Sequence, residues 1–163
     1  MKKGILVKGA AVMLAAAMLT GCGALSAEDY LEEYRDAIED GLSAMSELAM
    51  MQYVDEDDFD KSEAKELLDE GKTAFNSIKS LSAPKEIKDE HKELCKIMDY
   101  LMQAADIQYE IVLASVKGDD DKVEKLEDRF EDLEDEMEDK CDTDVIYDIE
   151  DELEELIEEE EDD

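Results

Sequence analysis

Proline occurs once in this chain, at Pro84, so little else in the backbone forbids long helices. On either side of it, apolar residues recur at the three- and four-residue spacing that gathers them on one face of a helix. Leu31, Tyr34, Ile38, Leu42, Met45 and Leu48 make a first stripe, in a helix expected over about 27–52. Leu67, Leu68, Phe75, Ile78 and Leu81 make a second. Ile87, Leu94, Met98, Leu101, Ala105 and Val112 make a third, in a helix expected to carry Pro84 in its first turn and to reach about Lys117. The fourth is the most regular: Val123, Leu126, Phe130, Leu133, Met137 and Cys141. Val145, Ile149, Leu153 and Leu156 resume it beyond Asp142-Thr143-Asp144.

The ends are marked as well. Ser26 with Asp29, and Asp60 with Glu63, have the spacing of N-terminal caps. Gly118 followed by three aspartates joins a helix stop to the next helix start. Short links between long amphipathic helices predict an all-α chain, an antiparallel up-down four-helix bundle with no sheet. Its extended acidic C-terminal helix carries a potential break at 141–144. The bundle domain is expected over 30–157, with a frayed acidic tail at 158–163.

Charge narrows the function. The chain has 51 acidic and 17 basic residues, a net charge of −34. From Asp119 to Asp163 there are 27 acids against four bases, yet the apolar stripe runs through them intact. High net charge with low hydrophobicity marks disorder. Here 44% of residues are hydrophobic and periodically placed, so a charged outer face on packed helices is expected. Nucleic acid is excluded as a partner, because phosphate contacts need Lys and Arg in excess. Adsorption to an anionic membrane surface is excluded by the same sign.

The first 22 residues differ from the rest. Lys2, Lys3 and Lys8 precede and flank the start of an uncharged apolar run, Ala10 to Leu19, followed by small residues. That order is the layout of an export signal, and about ten apolar residues are too few to span a bilayer, which takes roughly 20. Leu19-Thr20-Gly21-Cys22 resembles the lipobox of bacterial lipoproteins. The resemblance implies cleavage before Cys22, with 1–21 removed as a signal peptide and a diacylglyceryl group on the Cys22 thiol. Residues 22–29 would then serve as a short tether. It also implies a place on the outer face of the cytoplasmic membrane, or on the outer membrane in a Gram-negative cell. Loss of the three leader lysines leaves 14 bases against 51 acids, a net charge of −37 on the mature chain. The body is similar to small acidic helical lipoproteins of bacterial envelopes in composition alone.

Few residue types in the body carry chemistry. Cys95 lies 23 residues before Gly118 and Cys141 lies 23 after it, which sets them at one height on facing helices. They are candidates for a disulfide, which can persist outside the cytosol. Closing a loop of about 45 residues would stabilise the fold by roughly 4 kcal/mol. His91, the only histidine, is one helical turn before Cys95. His91, Cys95 and Cys141, with Glu138 or Asp142, are the competing candidates for a tetrahedral zinc site. Helix 3 also carries Met98 and Met102, although no Cys-x-x-Cys-His is present to attach haem.

The run Asp55 to Asp60 alternates oxygen donors but lacks the sixth-position glycine of an EF-hand. No glycine-rich phosphate loop or nucleophile elbow occurs. The residues therefore point to a non-catalytic binding or structural module of the cell envelope, without a cofactor. Its expected partners are the membrane, through the lipid, and an envelope protein or cationic ligand. The alternative is a metal- or redox-responsive protein acting through His91, Cys95 and Cys141.

Overall fold

A computed structural model describes residues 24–161, all of whose regular structure is helical. The expected signal and the lipobox-like Leu19-Thr20-Gly21-Cys22 lie outside the described residues. Five α-helices follow in order: α1 Ala27–Met50, α2 Lys61–Ser80, α3 Lys88–Ser115, α4 Asp120–Lys140 and α5 Val145–Glu161. A 3₁₀ turn, Met51–Tyr53, closes α1. No helix among the described residues is long and apolar enough to cross a membrane.

Local chemistry explains most boundaries. The Ser26 hydroxyl accepts from the Asp29 amide at 3.1 Å and caps α1. Asp60 accepts from the amides of Ser62 and Glu63, and Asp119 from that of Lys122, so α2 and α4 are capped likewise. Gly118, at φ 66°, makes the left-handed turn between α3 and α4 that a side chain would resist. The start of α3 departs from expectation. Pro84 ends the irregular link after α2, and a turn at Glu86 and Ile87 follows before α3 begins four residues on at Lys88, with Ile87 rather than proline at its N-cap. At the far end, α4 stops at Lys140. Cys141 takes an extended conformation (φ −120°, ψ 145°), and the poor helix formers Asp142, Thr143 and Asp144 separate α4 from α5.

α1 packs on α2, α2 on α3 and α3 on α4, while α5 lies against both α1 and α3. The main core gathers Tyr30, Tyr34, Phe75, Ile78, Ile87, Leu94, Ile97 and Met98 with Ile149 and Leu153 of α5. A second cluster holds Leu48, Leu68, Ala105 and Val112, and a third joins Ile107 and Ile111 to Leu126 of α4. The stripe of α1 follows the expected one, with Leu31, Tyr34 and Leu48 buried and Ile38 and Met45 partly buried, except at Leu42. Ala37, Gly41 and Ala44 are buried, whereas Leu42 is 54% exposed. The cause is close packing: the Phe75 ring lies over Gly41, where a Cβ would stand 2.5 Å from it. Four of the scarce cations tie helices together, Lys72 to Asp106, Lys79 to Asp99, Lys122 to Glu110, and Arg35 to Glu150 and Glu154, while Lys65, Lys92, Lys96 and Lys140 pair within their own helices. All of these pairs involve exposed side chains, so each contributes about 1 kcal/mol or less.

Candidate functional site

Two of the candidates for chemistry, His91 and Cys95, meet Tyr30 where the first turns of α1 and α3 come together. Tyr30 is fully buried, and its hydroxyl lies 2.8 Å from His91 Nδ1. The two rings meet edge to face, with centroids 5.8 Å apart. One helical turn on, Cys95 Sγ lies 3.5 Å from His91 Nε2, so the expected His91–Cys95 neighbourhood is present. Burial pushes the Tyr30 phenol well above its usual range and holds His91 below its own. Burial also raises the Cys95 thiol. At neutral pH the chain is therefore phenol, neutral imidazole and thiol.

One proton arrangement costs less than the other. With Tyr30 donating to Nδ1, Nε2 carries the hydrogen and donates to sulfur, and only the weak S–H donor is left over. The reverse leaves a buried phenol hydrogen unpaired, which costs about 1–3 kcal/mol. In the favoured tautomer His91 has no free lone pair to take the Cys95 proton, and the thiol is not primed as a nucleophile.

Cys141 does not join this group. Its burial-raised thiol stands near Glu93 and Lys96, which lie on a different face of α3 from Cys95. Cys95 instead senses Lys79 and Asp99. Both cysteines are free thiols. Among the described residues, no three His, Cys, Asp or Glu side chains are grouped to hold a metal ion. Glu138 and Asp142 are exposed.

Tyr34 extends the buried row of α1. It stacks with Tyr30 at 6.4 Å and donates to the Ile146 carbonyl at 3.0 Å, fixing the first turn of α5 against α1. Burial first, then the Glu150 carboxylate, pushes its phenol up to about 12.

With α5 held in place, a cleft of about 370 Å³ opens between it and the start of α3. Asp89, Glu90 and Glu93 line it from α3, Asp142 from the link, and Asp148 and Glu152 from α5. Its one cation, Lys92, is paired with Asp89. Glu90 Oε2 is buried with no hydrogen-bond partner. Although Glu152 is exposed, desolvation by its neighbours, then the charges of Glu90, Asp148 and Glu155, raises its carboxyl. Reading the sequence alone misses this cleft, since acids 49 to 63 residues apart meet only once α5 is docked. It also misses Tyr30, which is one residue off a position otherwise read as simple core. The spacing Tyr30–Tyr34, buried aromatics one turn apart, is the signal that was available.

The chain matches no protein-family model, no curated protein and no solved structure.

Proposed function

We propose that this chain is a lipid-anchored module of the bacterial envelope, held through Cys22, that binds cationic partners on its carboxylate-lined faces without catalysing a reaction. The lipobox-like segment supports the anchor. The observation that carries the binding role is the α3–α5 cleft, where six carboxylates surround one paired lysine and Glu90 keeps an oxygen without a partner. A multivalent cation entering there relieves like-charge repulsion and supplies the missing hydrogen bond.

The helices are read as an up-down bundle of four positions, the last shared by α4 and α5. The pairs Lys72–Asp106 and Lys79–Asp99 support this, since numbers rise along α2 as they fall along α3. Lys122–Glu110 and Tyr100–Glu136 run the same way between α4 and α3.

Calorimetric titration of the full-length chain with spermine tests the binding role. Binding should weaken as salt is raised, and by at least about threefold in Asp148→Asn/Glu152→Gln. Absence of binding, or equal binding by the double variant, contradicts the cleft as its seat.

A second reading rests on His91 and Cys95. A tetrahedral metal with ordinary zinc–nitrogen and zinc–sulfur bonds sets those donors about 3.5 Å apart, the observed Nε2–Sγ distance. Capture would release the Cys95 thiol proton to solvent and move the imidazole proton from Nε2 to Nδ1, with the Tyr30 oxygen as its acceptor. Zinc retained by Cys141→Ser and lost by Cys95→Ser would favour this responsive role; zinc bound equally by both would end it.

A further inference from the structure

Resting on the reading of this chain as a binder of cationic partners, we propose that the groove between α3 and α4 seats a basic amphipathic helix of a partner protein. α4 packs chiefly on α3. Only Leu126 of its stripe is buried, and Val123, Phe130 and Leu133 are each left partly exposed. A helix whose apolar face exceeds what its neighbour covers has room for another apolar face.

The groove has a volume of about 540 Å³. Ile111 of α3 and Phe130 of α4 supply its apolar floor. Glu124, Glu127, Glu131 and Glu134 form an exposed rim along α4, at the spacing of one helix face. No basic side chain lines it. Gln52 of the 3₁₀ turn also lines it, flanked in sequence by Tyr53, 76% exposed.

Charge decides the occupant. A second copy would bring another net −34 to the same place, and an acidic rim would face an acidic rim. An anionic lipid surface is repelled for the same reason. What fits is a segment with an apolar stripe for Phe130 and Ile111 and with Lys or Arg alongside for the glutamates. That is helix-in-groove recognition with the sign set by this rim. At 1.5 Å per residue the 21 residues of α4 offer a track of roughly 31 Å.

The test uses the full-length chain and a labelled amphipathic helical peptide of leucine and lysine, about 18 residues or roughly five turns long, followed by fluorescence anisotropy. Its controls are a scrambled peptide of the same composition and two charge-neutralised proteins. One protein carries Glu124→Gln, Glu127→Gln, Glu131→Gln and Glu134→Gln. The other carries the same number of neutralisations on exposed α1 positions, Glu28→Gln, Glu32→Gln, Glu33→Gln and Asp36→Asn.

The expected result is at least about tenfold weaker binding for the groove variant, less than about twofold for the α1 variant, and weak binding of the scrambled peptide. Equal weakening by both variants, or equal binding of both peptides, overturns the groove in favour of diffuse attraction. No peptide binding by a chain that still takes up spermine overturns the groove alone and leaves the proposed function standing.

Discussion

Two glycines show how much one methyl group can decide. At Gly41 a Cβ would meet the Phe75 ring at 2.5 Å, and the buried ring has little room to retreat. Gly41→Ala should therefore lower stability by roughly 1–3 kcal/mol in urea unfolding, despite the better helix propensity of alanine. At Gly71 the nearest atom is the Met45 sulfur at 3.3 Å, the adaptable part of a flexible side chain. Gly71→Ala should leave stability unchanged or raise it by up to about 1 kcal/mol. Similar losses at both positions would contradict the packing described.

His91 gives the second residue-scale prediction. Its folded-state pKa lies below the ordinary value because of burial, so the unfolded chain takes up the proton first as pH falls. The contribution of His91 is present above the unfolded value and declines as pH drops below about 6.5 toward the lower folded value. His91→Gln cannot titrate there. Thermal melts of the two proteins should therefore differ less at about pH 5.5 than at about pH 7.5; a gap that widens in acid would reverse the sign.

At the scale of the element, α4 and α5 carry similar stripes but are held differently. Leu153 of α5 is fully buried between α1 and α3, whereas Leu133 of α4 is only partly covered. Leu153→Ala should cost roughly 2–5 kcal/mol, and Leu133→Ala under about 2 kcal/mol. Urea unfolding of the two variants checks the order, and equal costs would mean that α4 is as enclosed as α5.

Helix existence and most helix ends were legible in the sequence, because Ser26, Asp60, Gly118 and Asp119 act on amides within a few residues of themselves. The exposure of Leu42 in α1 was not, since burying Gly41 in its place depends on the Phe75 ring of another helix. Nor was the start of α3, where Pro84 ends the link rather than lying in the first helical turn. The site divides along the same line. His91 and Cys95 meet because they are one turn apart on a single helix, while the height of Cys141 along the chain says nothing of the α3 face it meets. The acidic cleft depends on how α5 lies against α3, which local pattern does not specify.

For the whole molecule, net charge sets the balance. With 51 acids against 17 bases, two-thirds of the acids have no base to pair with even if every base takes one; four of the cations tie helix to helix, and most carboxylates face solvent. Self-repulsion should therefore make the melting temperature rise with added sodium chloride; a salt-independent melt would contradict that charge distribution. The same charge, repelled by anionic lipid, would be kept near a membrane by acyl chains, about two of which suffice for stable anchoring.

The account depends most on the lipid, and intact-mass measurement of the protein from bacterial membranes addresses it directly. A chain beginning at Cys22 and carrying diacylglyceryl mass, with Cys22→Ala left uncleaved and unlipidated, is the predicted result. A wild-type chain that begins at Met1 with a free Cys22 thiol would contradict it.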